Sequence, residues 1–439
     1  MVRRILLFCA LAFASAPVLA QVNPNPPVYQ QEIQRILHDW RSRSGIPGAA
    51  LSIYLPYHTY PITISSGSTQ YRGGESIDSD TLFQAGSITK SFTSMIILEL
   101  EAEGKLNLND PITTYLPQYP RWQDVTVREL LNHTSGIFNY TEAGQFNLIR
   151  KDNPEQGFSP EQLVQLAAEH RDYFYPGQGW KYSNTNYVLA GMIIQKITGE
   201  PASTVMNDYL RSNTHLDLIN TYYLSGIYPN GFLSRMAHGY NTRGQDVTYD
   251  NMSWAYTAGA IVTTTQDLLT WWHDLFQGHI LPEQQLDQMK SLVCEENSPA
   301  CRSGQPVAPL SDGFTGHGYG LGIIETSYGS EKLGPVWWHN GSTAGYKAIV
   351  MWFPKSDIYM ALTINRDPGY LLKPDAPLIR SVMSVLAPDA EWHLAHPPRA
   401  RVEVRRKRYV HHIYYRHRKI YHKPKLKPHH KIERKSNGV

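Results

Sequence analysis

The spacing of apolar residues changes period several times along the chain. A polar, Pro-rich lead-in, "NPNPPVYQ", precedes "YQQEIQRILHDWRSR", where Ile33, Ile36, Leu37 and Trp40 recur at helical spacing. "GIPGAALSIYLP" then reads as a turn and a strand, and "TYPITISSGS" as a second strand ended by Gly67. "SITKSFTSMIILELEAEGKL" predicts a buried helix that starts near Ser87 and closes at Gly104.

From about Leu106 to Gly316 the pattern is mostly helical and loop-like. "VTVRELLNHTSGI" predicts a short helix running into a turn. "SPEQLVQLAAEH" has a serine N-cap with proline at the first turn. "NTNYVLAGMIIQKITG" is an apolar helix stopped by glycine. After about Gly318 the runs become short and β-rich: "YGLGIIETSYG", "VWWHNGSTAGY", "KAIVMWFPKSD" and "IYMALTIN". "PDAPLIRSVMSVLA" closes this body as a helix. The pattern predicts an α/β protein of the α+β type: an antiparallel sheet flanked by terminal helices, with an α-rich insertion at about 106–316.

Composition refines the ends rather than the body. Of 439 residues, 41% are hydrophobic and 18% charged, which suits a globular protein with a sizeable core. Arg3, Arg4, a short apolar run and the small residues of "APVLA" read as a secretory signal at 1–20, cut near Ala20. The expected location is therefore secreted or periplasmic. In that setting Cys294 and Cys301, around the polar loop "CEENSPAC", are expected to form a local disulfide. Residues 399–439 carry 15 Lys and Arg against 2 Asp and Glu, a balance of +13. Since the whole chain is +3, residues 1–398 stand at −10. A solvated basic tail thus follows an acidic body at 21–398.

Three short stretches carry candidate chemistry. Ser87 and Lys90 lie three apart, on one helix face. Serine needs a neighbouring base to become a nucleophile, and lysine serves only if its surroundings depress its pKa. Phe92, Met95, Ile96 and Ile97 offer such an apolar setting. Tyr-x-Asn occurs as Tyr182-Ser183-Asn184, Tyr228-Pro229-Asn230 and Tyr249-Asp250-Asn251; only the first abuts an apolar helix that would hold it rigid. Its tyrosine is a candidate proton relay and its asparagine a candidate ligand for a substrate carbonyl. In "WWHNGSTAGY", Gly341 permits close backbone approach after His339, and the Ser342 N–H is a candidate to join that of Ser87 around an oxyanion. Lys332-Leu333-Gly334 is a rival for this third element, although its glycine leads into a proline turn.

Ser87-Ile88-Thr89-Lys90, Tyr182-Ser183-Asn184 and His339-Asn340-Gly341, in this order and at long spacing, resemble the serine β-lactamase and penicillin-recognising D-alanyl-D-alanine carboxypeptidase superfamily. "LLNHTSGI", "YSNTNYVLAGMII", "GAIVTTTQDLLTW" and "GSTAGY" add to the resemblance, which covers roughly 30–390. It implies acylation of Ser87, proton handling by Lys90 and Tyr182, hydrolysis of the acyl-enzyme by water, and no metal or cofactor. His339 stands where many β-lactamases have lysine, and histidine is not a fixed cation near pH 7. This favours the carboxypeptidase, D-aminopeptidase and esterase branches. The expected substrate is a cell-wall (peptidoglycan-type) D-alanyl peptide, with esters or β-lactams as alternatives at the same site.

The tail, with aromatics interleaved among its cations, is expected to attract anionic envelope polymers or a membrane surface. Its histidine pairs lack structural metal-site spacing, and no specific nucleic-acid partner is expected. A different class of function, a non-catalytic envelope-binding protein, would rest on that tail alone and leave Ser87, Lys90 and Tyr182 without a purpose.

Overall fold

The computed structural model describes residues 27–395 apart from 57, 59, 213–215, 217, 296–309, 311–315 and 328–333, and excludes the side chains of 212 and 387–395. The expected signal segment, Cys301, Lys332 and the basic tail lie outside the described residues. The chain divides into Met1–His396 and Pro397–Val439, and the described residues all belong to the first unit.

The strands are β1 (Gly48–Tyr54), β2 (Ile62–Gly67), β3 (Phe83–Gln84), β4 (Tyr222–Tyr223), β5 (Ile261–Thr263), β6 (Val293–Cys294), β7 (Gly316–Tyr319), β8 (Ile324–Ser327), β9 (Pro335–Ser342), β10 (Lys347–Phe353) and β11 (Ile358–Ile364). The helices are α1 (Val28–Arg43), α2 (Thr89–Ala102), α3 (Val127–Leu131), α4 (Gly144–Asp152), α5 (Pro160–Ala168), α6 (Asn184–Thr198), α7 (Ala202–Ser212), α8 (Asn230–Leu233), α9 (Tyr256–Gly259), α10 (Thr265–Phe276), α11 (Glu283–Met289) and α12 (Pro377–Ala395).

The main sheet runs β2-β1-β11-β10-β9-β8-β7-β6, with antiparallel neighbours throughout. Its central strands are buried on both faces, which explains their near-continuous apolar runs. The pleat sends alternate residues to opposite sides. Ile349, Met351 and Phe353 of β10, with Met360 and Leu362 of β11, pack against Ile33 and Leu37 of α1 and Leu378 and Val382 of α12. Ala348, Val350, Tyr359 and Ala361 join the other core, with Trp271 and Trp272 of α10 and the apolar faces of α2 and α6. The expected sheet, terminal helices and α-rich insertion are present, and the helices and the insertion cover opposite faces.

Two details differ from the sequence reading. The helix expected from Ser87 begins as a 3₁₀ turn, Gly86–Ile88, and becomes α-helical at Thr89. A second small sheet, β3-β5-β4, pairs Phe83–Gln84, which precede the insertion, with two strands inside it. Its strands span two or three residues, too few to show alternation. By contrast α5 starts as expected, with Ser159 and Gln162 forming a reciprocal capping box. Helix α6 ends at Gly199, whose left-handed φ of 76° suits glycine.

Candidate active site

Ser87 lies on the 3₁₀ turn at the head of α2, and the next turn brings Lys90 beside it. Lys90 Nζ is 3.0 Å from Ser87 Oγ, 2.8 Å from Asn184 Oδ1 and 2.8 Å from the Ala258 carbonyl oxygen. The side chain is wholly buried, and that burial holds its amine well below the ordinary lysine value. Asn184 Oδ1 and the Ala258 carbonyl can only accept, so they take two N–H donors from the amine. In the neutral amine the lone pair is then left for the Ser87 hydroxyl.

Asn184 opens α6, and Asn139 fixes its orientation. Asn139 Oδ1 accepts from Asn184 N at 3.1 Å and from Asn184 Nδ2 at 3.4 Å, which turns the amide oxygen toward Lys90. Tyr182 shares a hydrogen bond with Ser87, and its ring centroid lies 4.8 Å from Lys90 Nζ. Burial raises the Tyr182 pKa, so the side chain remains a phenol with a proton to give. The first Tyr-x-Asn is thus the one brought to Ser87. Of the rivals, Asn230 begins the short helix α8, and Asn251 caps the turn at Met252–Trp254.

Strand β9 closes the opposite side through backbone packing. A Cβ on Gly341 would lie 1.7 Å from the Ala85 carbonyl oxygen, and one on Gly86 would lie 2.6 Å from Ser342 N. Only glycine fits at 341, and Gly86 also needs glycine for its φ of +54°. These contacts set Ser342 N against the residue before Ser87.

His339 is buried on β9. Its Nδ1 lies 2.6 Å from the Asn340 carbonyl oxygen, which only accepts, so Nδ1 carries the proton. Nε2 then accepts from the Tyr319 hydroxyl at 3.1 Å. Burial, with the Lys90 charge adding to it, lowers the His339 pKa to about 3. With its pKa lowered in this way, the imidazole is neutral at physiological pH.

Other residues around this centre escaped the sequence reading. Lys347 of β10 contacts Ser342 Oγ and lies 3.1 Å from Asp367 Oδ2. Its one signal was a lysine opening an otherwise apolar strand. His133, in "LLNHTSGI", has a left-handed φ of 65° and packs beneath Tyr182, with ring centroids 4.3 Å apart. Its Nδ1 lies 3.3 Å from both Ser183 N and Asn186 Nδ2. Asn139, Ala258 and Tyr319 have no local signature. Cys294, on the edge strand β6, is disulfide-bonded; its expected partner lies outside the described residues.

The Beta-lactamase family profile matches residues 31–383. Two Bacillus subtilis (strain 168) relatives match over part of their length. PbpX is 28% identical over 244 residues, 54% of this chain and 56% of that one. Penicillin-binding protein 4* is 39% identical over 124 residues, 28% of this chain and 27% of that one. The chain thus spans about half of the first and about a quarter of the second. Among solved structures, a D-stereospecific amidohydrolase from Streptomyces sp. is 29% identical with a TM-score of 0.65, covering 81% of this chain and 98% of its own. A D-amino acid amidase from Ochrobactrum anthropi SV3 is 26% identical with a TM-score of 0.68, covering 82% and 99%. The profile runs across most of the chain and the solved relatives share its fold, so this chain belongs to the β-lactamase and penicillin-binding-protein family of serine hydrolases.

Proposed function

We propose that the chain is an exported peptidase or amidase that transfers a D-amino acyl group, D-alanyl foremost, to Ser87 and then to water. The observation that carries this reading is the coordination of Lys90. Two acceptors occupy its N–H groups, and burial favours the uncharged amine beside the hydroxyl. Lys90 takes the Ser87 proton as Oγ attacks the substrate carbonyl. The amides of Ser87 and Ser342 receive the developing oxyanion. The phenol of Tyr182 protonates the departing amine and is reprotonated by the Lys90 ammonium; water then attacks the ester, its proton passing by way of Lys90 to Ser87 Oγ as the acid leaves. A D-configured acyl group is supported by the amidohydrolase and amidase relatives above. Neutral His339 gives little attraction to a substrate carboxylate, so D-alanyl amides and esters join D-Ala-D-Ala peptides as substrates, ahead of β-lactams.

A fluorophosphonate or labelled penicillin tests the acyl step. Wild type takes up the label at Ser87 and Ser87→Ala does not; equal labelling of both would overturn the assignment. A panel of D-Ala-D-Ala peptide, D-alanine amide, its L-enantiomer, a short-chain ester and a chromogenic cephalosporin ranks the substrates. Preference for the L-enantiomer would reject the D-acyl reading while leaving Ser87 as nucleophile.

A further inference from the structure

At the C-terminal end of α10, away from the residues assigned to catalysis, the fold gathers His273, Asp274 and His279. Their potential ligand atoms all lie within 4.8 Å of one another. Asp274 Oδ1 is 2.9 Å from His273 Nδ1 and 3.2 Å from His279 Nδ1. Both imidazoles thus face one carboxylate oxygen across the point where the helix gives way to a turn. The cluster has no spacing that marks a metal motif. His279 follows Gly278, whose φ of +70° turns the chain back toward the last turn of α10.

Three further features favour a cation here. The His273 ring packs against both Tyr54 and Tyr359, at centroid distances of 4.8 and 5.1 Å, so one ligand is already oriented. A second carboxylate, Asp357, lies within electrostatic range of His273 and accepts a hydrogen bond from Trp352 Nε1 at 3.1 Å. The carbonyl end of α10 adds partial negative charge to its last turn. Asp274 is mostly buried, whereas the more exposed His279 leaves a side open for entry.

We propose that His273, Asp274 and His279 bind one divalent zinc-class ion outside the catalytic centre. Two imidazoles and a carboxylate suit Zn²⁺, with water completing the shell. Each neutral imidazole presents a bare nitrogen to the metal by moving its proton to the other ring nitrogen. The ion would tie the turn after α10 to the helix itself. Because α10 packs on α2 through Trp271, whose Nε1 donates to Ser91 Oγ at 3.0 Å, the site stabilises the layer that carries Lys90.

The test uses the full chain, whose tail histidines contribute the same background binding to every variant. Equilibrium dialysis against Zn²⁺ is expected to give one fewer equivalent for His279→Ala and for Asp274→Asn than for wild type. Zn²⁺ is also expected to raise the wild-type melting temperature more than that of either variant. His279 is half exposed and Asp274→Asn keeps its size, so both variants should fold, as circular dichroism will check. Equal stoichiometry and equal thermal shifts in the three proteins would overturn the proposal.

Discussion

The working parts of the centre are single atoms, and their protonation sets the expected pH behaviour. Lys90 must be uncharged to take a proton, and burial lowers its pKa. Acid protonates the amine, so kcat/KM should fall as pH drops through the depressed lysine value and rise above it. Lys90→Arg, a permanent cation, should lose about 10²- to 10⁴-fold in kcat/KM above the depressed lysine value and lose the acid limb of the profile. His339, with its pKa near 3, should add no limb between pH 5 and 8. A pH–rate profile of wild type and His339→Gln checks this, since an inflection near 6.5 in wild type alone would contradict it. Gly341→Ala drives a methyl into the Ala85 carbonyl and should cost roughly 10²- to 10³-fold in kcat/KM, the scale of one lost oxyanion donor. Ser87, Lys90 and Gly341 were legible because helix spacing and glycine at a close approach leave marks in sequence. Asn139 and Ala258 were not, because their roles arise only when the turn at Asn139 meets α6 and α9 meets α2.

At the scale of elements, close packing between α6 and α9 holds the Ala258 carbonyl on Lys90. A Cβ on Gly191 of α6 would lie 2.2 Å from Thr257 Oγ1, and that hydroxyl donates to the Tyr187 carbonyl oxygen at 2.7 Å. Gly191→Ala should therefore push α9 outward, costing about 1–3 kcal/mol by overpacking. Melting temperature and kcat/KM should fall together. Gly144→Ala, where a Cβ meets nothing within 4 Å, should change neither. The long helices and the paired strands of the main sheet could be read from periodicity. The short β3-β5-β4 sheet could not, because its pairing depends on contacts such as Phe83 with Thr263.

For the whole molecule, charge separates the body from its tail. We propose that residues 399–439, at +13, hold the protein to anionic envelope surfaces without taking part in hydrolysis. Deleting them should leave hydrolysis of a small amide intact and weaken adsorption to anionic vesicles at low salt. Unchanged adsorption would reject this role. Within the body, β1 pairs with β11, as Ala49 with Ile364, and Ser87 meets a strand that begins at Pro335. A chain emerging from the ribosome thus makes its nucleophile long before the wall against which that nucleophile works. Hydrolysis has to wait until β9 to β11 have been synthesised and have docked, so an incomplete polypeptide carries a serine that still lacks one face of its site.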